Sequence, residues 1–98
     1  MRCYVKIHGQ GPNIVVAACD EDCLGKVLDD GKYHFDINET FYKDKIVSVE
    51  EACVLLKKCP NFNVVGEEIV KELIKNRIIH PDGTLKIAGI PIALRFIF

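Results

Sequence analysis

Two cysteines that flank consecutive acids form the most chemically suggestive stretch of the sequence. Cys19 and Cys23 lie four residues apart in CDEDCLGK, residues 19–26, around three acids. Thiolates bind soft metals and act as nucleophiles, so the two cysteines are compatible with a metal site or with a catalytic thiol. The interpretation that we favour is a turn, at which a strand ends and Gly25 lets the chain reverse.

A metal site has little support in the spacing of the cysteines. A structural zinc site needs four converging ligands, whereas Cys53 and Cys59 lie six apart and fall on the apolar stripe of a predicted helix. The alternative combines Cys19 and Cys23 with a histidine, one of His8, His34 and His80. The acids lack the alternating oxygen ligands of a calcium-binding loop. We therefore predict no metal and no cofactor.

A catalytic thiol at Cys19 or Cys23 is the enzymatic alternative. Reactive thiolates are stabilised by positive charge or by a helix N-terminus. The acids between the two cysteines raise the pKa of these thiols instead, and Lys26 alone does not offset them. The pattern favours a protein that is not an enzyme, with a thiol-dependent enzyme or redox protein as the alternative.

A glycine at the start of a predicted helix is the second suggestive feature. Gly66 stands in NVVGEE, residues 63–68. Glycine costs roughly 0.5–1 kcal/mol relative to Ala in a helix, so its presence indicates close approach of another backbone or of a ligand. Helix N-termini bind phosphate, but Glu67 and Glu68 would repel an anion. Close packing is therefore favoured over phosphate binding.

The second half of the chain is mildly basic. Residues 1–50 carry six Lys and Arg against nine Asp and Glu, and residues 51–98 carry seven against five. The seven cations that could form a patch are Lys57, Lys58, Lys71, Lys75, Arg77, Lys86 and Arg95. No interleaved aromatic set accompanies them, so any RNA contact is expected through phosphates and to depend on salt. The alternative is an ordinary solvated helix surface.

Apolar periodicity predicts the elements that position these residues. Alternation in residues 2–8 and an apolar run in 14–19 predict a hairpin, with a second hairpin around the Asp-Asp-Gly turn. Two amphipathic helices follow, at 48–59 and 64–77, and a C-terminal hairpin ends in strand 90–98.

Helix caps support these boundaries. Ser48 and Glu51 form a capping box, Asn63 is the predicted cap of the second helix, and Asn38 is the predicted cap of one turn in ETFY. The predicted fold is α+β: one domain over residues 1–98, with a mostly antiparallel sheet of hairpins and both helices on one face.

Size and composition agree with a single globular domain. The chain has 98 residues, of which 49% are hydrophobic and 28% charged. No apolar run reaches the roughly 18 residues of a membrane helix, and the N-terminus lacks a secretory signal. The five cysteines are odd in number, which favours reduced thiols. We expect a cytoplasmic protein.

The order of segments resembles a family of small archaeal proteins known as domain of unknown function 424. The resemblance rests on CDEDCLGK, FY before SVEEA, NVVGE and DGTLKIAGIP. It implies shared positions at Cys19, Gly25, Lys26, Asn63, Gly66, Glu67, Gly89 and Pro91, and all of these except Cys19 are candidate binding residues. Where the family has a histidine after Gly-x-Pro, this sequence has Ile92. The family has no assigned activity.

The function expected from the sequence is that of a small, non-enzymatic binding module. The excess of Lys and Arg in residues 51–98 favours RNA or a ribosomal component as the partner. The resemblance implies a link to translation, since some family members are encoded near translation factors. No membrane partner is expected. A homodimer joined through the C-terminal strand, which ends in Phe-Ile-Phe, is a third alternative, because an exposed apolar strand invites pairing.

Overall fold

The computed structural model describes residues 1–96 of the chain. This part contains eight strands and three α-helices. The strands are β1 Arg2–His8, β2 Val15–Asp20, β3 Val27–Asp29, β4 His34–Asp36, β5 Lys45–Ser48, β6 Asn61–Val65, β7 Thr84–Ile87 and β8 Ile90–Arg95. The helices are α1 Glu39–Tyr42, α2 Val49–Lys57 and α3 Glu67–Lys75. No helix of this part is long and apolar enough to cross a membrane.

Six strands form one sheet, in the order β5-β1-β2-β6-β8-β7, and β3 pairs with β4 separately. All neighbours in the larger sheet are antiparallel except β2 and β6, which place Cys19 opposite Val65. The predicted α+β fold with a mostly antiparallel sheet is confirmed. The connections β5-α2-β6 and β6-α3-β7 join parallel strands and advance the same way across the sheet, so both helices cover one face.

The face under α2 and α3 holds the larger apolar core. Alternate residues of three neighbouring strands point into it: Cys3 and Val5, Val16 and Ala18, Phe62 and Val64. The predicted cap of α2 is confirmed, because Ser48 Oγ accepts the Glu51 N–H at 3.0 Å. Glu51 Oε1 accepts from the Ser48 hydroxyl at 3.2 Å rather than from its backbone.

The opposite face carries a second apolar core, which α1 and the β3–β4 pair help to cover. The buried Tyr42 of α1 donates its hydroxyl proton to Asn63 Oδ1 at 2.8 Å. The predicted cap of α1 is confirmed, since the Asn38 side chain accepts the Phe41 N–H at 2.8 Å. This face is therefore closed by short elements instead of long helices.

The prediction of a helix over residues 64–77 is wrong at its start. Asn61–Val65 is a central strand, and α3 begins only at Glu67. Asn63 therefore lies within β6 and does not cap a helix. A short apolar run cannot be assigned to a strand or a helix by periodicity alone. Gly66, with φ of 131°, separates the strand from the helix.

Three other features of the fold differ from the sequence prediction. α2 ends at Lys57, so the half-buried Cys59 lies beyond it, whereas Cys53 is buried as predicted. The second hairpin, β3–β4, stands outside the main sheet. β8 lies between β6 and β7, so it is not an edge strand where it pairs with both. Ile97 and Phe98 lie outside the described residues, and the dimer contact predicted there stays a prediction.

Candidate functional site

Most of the positions that the sequence singled out lie where the parallel strands β2 and β6 end side by side. Asp20 is the last residue of β2, and Gly66 follows β6 directly. α3 begins at this end of the sheet, and the acidic loop after β2 forms a short 3-10 helix, Glu21–Cys23. In sheets with helical crossovers, ligands commonly bind beyond the carboxyl ends of parallel strands.

Asp20 is buried and occupies the N-terminus of α3. The residue is only 3% exposed, and its two carboxylate oxygens accept the N–H groups of Glu68 at 2.8 Å and Ile69 at 3.0 Å. Burial raises the pKa of this carboxyl, and the two N–H bonds oppose that shift. The carboxylate supplies the cap that α3 lacks locally, since Gly66 has no side chain to provide one.

Gly66 makes room for Asp20. A Cβ atom at Gly66 would lie 2.4 Å from Asp20 Cγ, and the φ of 131° is one that other residues rarely adopt. The Gly66 N–H donates to the Pro91 carbonyl at 3.0 Å, which ties this corner to β8. The glycine therefore serves close packing, and N–H groups that would otherwise face an anion are bonded to Asp20.

Cys19 and Cys23 are both buried, at 0% and 3% exposure. Burial is the largest cause that raises the pKa of each thiol to about 12, and Asp20 and Asp22 raise both further. Lys26 lowers the pKa of Cys23 without offsetting the other effects. Protonated, enclosed thiols are poor nucleophiles. The geometry therefore favours a structural role for both cysteines.

A small cleft of about 90 Å³ opens beside Asp20, with Lys26 and Glu67 on its rim. Ligand atoms of Asp20, Asp22 and Cys23 lie within 4.8 Å of one another there. Both Asp20 oxygens already accept backbone N–H groups, and the group includes neither Cys19 nor a histidine. It thus differs from the Cys-Cys-His site weighed from the sequence and offers fewer than four zinc ligands.

The remaining predicted positions shape the backbone or lie apart from the cleft. Gly25, at φ 85°, donates its N–H to the Ile37 carbonyl at 2.7 Å and holds the acidic loop against the chain before α1. Asn63 lies inside β6 and binds Tyr42. Gly89 forms the β7–β8 turn with Ala88. The structure brings Lys26, Gly66, Glu67 and Pro91 to the carboxyl end of the sheet.

The role of Asp20 is not evident from the sequence. Its contacts with α3 span 48 and 49 residues, so no local pattern marks them. An acid that directly ends a fully apolar strand is the signal that was available, because such a side chain is carried to the border of the core. Read as part of a solvated turn, Asp20 looked like its exposed neighbours Glu21 and Asp22.

The opposite end of the molecule gathers exposed cations. α2 and α3 run side by side in the same direction, with Cys53 Sγ 3.8 Å from the Glu72 carbonyl, so both helices end together. Lys57, Lys58, Lys75 and Arg77 are exposed at these helix ends. Among residues 1–96, none of the four forms an ion pair with a carboxylate. We call these four residues the basic end.

Arg95, unlike these four residues, is held by contacts within the fold. Its guanidinium lies 4.9 Å from the centre of the Phe62 ring and donates a hydrogen bond to the Ile78 carbonyl. Both contacts hold β8 to its surroundings, so this cation is committed to the fold. Lys71 and Lys86 instead line a groove on the side of α3. The seven cations named from the sequence therefore do not form one patch.

Arg77 has an unusual backbone conformation for its side chain. Its φ is 58°, in the left-handed region. The Arg77 N–H donates to the Ile74 carbonyl at 3.0 Å, and the Ile78 N–H donates to the Leu73 carbonyl at 2.9 Å. This is a Schellman motif, whose left-handed position is usually glycine. An arginine there retains a cation at a conformational cost of roughly 1–2 kcal/mol.

The comparisons with known proteins identify relatives without a known activity. The profile of a family described as "Protein of unknown function (DUF424)" matches residues 8–97. A solved structure, described as the crystal structure of an uncharacterized conserved protein from Methanopyrus kandleri, aligns with a TM-score of 0.81 and 25% sequence identity. That alignment covers 96% of this chain and 90% of the other. No curated protein matches the chain.

Proposed function

The chain belongs to the DUF424 family of unknown function, and we propose that it is a non-enzymatic module that binds RNA phosphates through the basic end. The observation that carries this proposal is the grouping of exposed, unpaired cations at the ends of α2 and α3, within residues 1–96. Phosphate contacts by Lys and Arg supply most of the affinity of non-specific nucleic-acid binding.

The alternative explanation of the basic end is stabilisation of the helices. Cations near a helix C-terminus interact favourably with its dipole, by roughly 0.3–1 kcal/mol each. That effect accounts for Lys57 and Lys75 within the last turns. It accounts less well for Arg77, where a glycine would remove the backbone strain. A binding role for the side chain explains why a cation stands at that position.

The buried thiols favour binding over catalysis. With the pKa values of Cys19 and Cys23 at about 12, neither is a ready nucleophile at neutral pH. The partner we propose is ribosomal RNA or a ribosomal subunit, in keeping with the translation link that the family resemblance implied. Recognition would use phosphates and shape, because the basic end consists only of Lys and Arg side chains.

A salt titration with a neutralised variant tests this proposal. Lys57, Lys58, Lys75 and Arg77 are changed together to Gln, and the control changes Lys32 and Lys43 to Gln, two exposed lysines that are not members of the basic end. Binding of ribosomal RNA and of purified ribosomal subunits is measured from low to physiological salt. Removing four phosphate contacts should lower the slope of log K against log salt by about three, with the control unchanged.

Two results would contradict the proposal. The first is no retention of either probe by wild-type protein at low ionic strength. The second is a salt slope that is the same in the quadruple variant and in wild type. Thermal unfolding followed by circular dichroism establishes that the variants are folded, so that a loss of binding is not a loss of structure.

A further inference from the structure

The edge strand β7 leaves backbone groups unpaired on one side of the main sheet. Within residues 1–96, it pairs with β8 alone, with Lys86 opposite Pro91 and Leu85 opposite Ile92. The Pro91 carbonyl accepts from Gly66, on the β6 side. Hydrogen-bonded and non-hydrogen-bonded pairs alternate in an antiparallel ladder. Lys86 therefore directs its own N–H and C=O away from β8. Thr84 directs only its C=O outward, because its N–H donates to the Pro81 carbonyl.

We propose that two copies of this chain associate by pairing their β7 strands antiparallel, about a two-fold axis at Leu85. In this register the Lys86 N–H of each copy donates to the Thr84 carbonyl of the other, which gives two backbone hydrogen bonds across the axis. The two Leu85 side chains meet at the axis as a non-hydrogen-bonded pair, the arrangement that brings side chains closest. The two six-stranded sheets become continuous.

The side chains select this register over its neighbour. An axis at Lys86 would place two like charges directly opposite each other, which is destabilising. An axis at Leu85 instead buries a side chain that is 41% exposed, on the face that also carries the 45% exposed Leu94. An open edge strand with an exposed apolar residue is a surface that pairs readily with another strand.

Charge complementarity also favours the antiparallel arrangement. The carboxyl end of the sheet is acidic, with Glu21 and Asp22 after β2 and with Glu50, Glu51, Glu67 and Glu68 in the first turns of α2 and α3. The basic end lies at the opposite end of the sheet. A two-fold antiparallel pair places the acidic end of each copy beside the basic end of the second, whereas a parallel pair would align like charges. This proposal does not depend on RNA binding.

Cysteine cross-linking tests the register directly. At a non-hydrogen-bonded antiparallel pair the Cα atoms lie about 4.5 Å apart, within disulfide range. Leu85→Cys should therefore form a covalent dimer when an oxidant is added. Lys86→Cys is the matched control, because its two copies are offset along the strands and cannot reach each other. Wild type, whose cysteines stay in place, should remain uncrosslinked.

Sedimentation across protein concentration tests the association itself. Wild type should show a reversible monomer–dimer equilibrium. Lys86→Pro removes an outward N–H that no bond within the chain uses, so it should weaken the dimer by about tenfold while the thermal unfolding midpoint changes little. Lys86→Gln removes only the charge and should dimerise like wild type. A monomer at every concentration would overturn the proposal, as would cross-linking of Lys86→Cys equal to that of Leu85→Cys.

Discussion

The two ends of the main sheet use charged residues in opposite ways. At the carboxyl end, Asp20 is buried and both of its oxygens accept backbone N–H groups of α3. At the basic end, Lys57, Lys58, Lys75 and Arg77 are exposed, and none of them pairs with a carboxylate among residues 1–96. One set of charges completes the fold, whereas the other is available to a partner.

This difference shows that residue types typical of a functional site need not be free to act, whereas exposed, unpaired side chains are. The acidic loop has the residue types of a metal or thiol site, yet its thiols are enclosed and Asp20 is committed to a helix. The basic end suggests no particular chemistry, yet its cations are unpaired and Arg77 is held in a strained conformation. Strain retained at an exposed position is a better indication of binding than reactive side chains that the fold itself requires.

The largest expected effect sharpens the structural side of this comparison. Gly66→Ala should lower the free energy of unfolding by about 3 kcal/mol or more, because the new Cβ would force Asp20 from the α3 N-terminus and φ of 131° is strained for alanine. Urea denaturation measures the change. The control is Gly31→Ala, at φ 85° with nothing within 4 Å of the new Cβ, which should cost about 1 kcal/mol.

Equal losses in the two glycine variants would contradict the role of Gly66. Both positions have positive φ, but φ of 131° with ψ of 149° places Gly66 in a region that is essentially restricted to glycine. The difference between the variants therefore reports the approach of Asp20 together with the greater backbone strain at Gly66. A large difference would establish that the acidic end is a packed corner of the fold.

The sequence predicted the elements whose signals are local. The capping box at Ser48 and Glu51 marks the start of α2, and the Asn38 cap marks α1. β6 was missed because five residues, NFNVV, are too few for periodicity to distinguish a buried strand from a helix. Its parallel pairing with β2 is a long-range contact that no neighbouring residue encodes.

The candidate sites show the same limit. The sequence identified Gly66 and its close packing, but not Asp20, because the two residues lie 46 positions apart in the chain. It also named the cations of the basic end within a larger set. Which of these share an end depends on the parallel course of α2 and α3, and Arg95 was removed from the set by its contacts with Phe62 and Ile78.

The next prediction concerns the buried thiols, which should make the free energy of unfolding depend on pH. The pKa values of Cys3, Cys19 and Cys23 are raised from 9.0 to about 12, with burial as the largest cause. Unfolded thiols ionise near pH 9, whereas the folded ones keep their protons. Their contribution to stability is therefore complete below pH 9 and is lost as the pH rises toward 12, at about 1.4 kcal/mol per pH unit for each thiol.

Unfolding of Cys19→Ala against pH measures the share of one thiol. The slope between pH 9 and 11 should be shallower than in wild type by about 1.4 kcal/mol per pH unit. Cys59→Ala, at a half-buried position, should change the slope less. An unchanged slope in Cys19→Ala would mean that this thiol ionises equally in both states, and the enzymatic alternative would regain support.

The smallest effect on stability addresses the basic end, where stability and binding should change in opposite directions. Arg77→Gly relieves the left-handed strain at φ 58° and should raise the free energy of unfolding by about 0.5–1 kcal/mol, since the loss of the cation near the helix end offsets part of the gain. The same change should weaken RNA binding and lower its salt slope by about one. Urea denaturation and RNA titration measure the two quantities.

Ala88→Gly provides the matched control for Arg77. Ala88 also has a positive φ, 51°, but it lies in the β7–β8 turn and carries no charge. This variant should gain a similar stability and bind RNA like wild type. If Arg77→Gly is more stable and binds equally well, the arginine is not an RNA contact. If it is less stable, the side chain supports the helix end, and the two ends of the molecule would then use their charges alike, for folding.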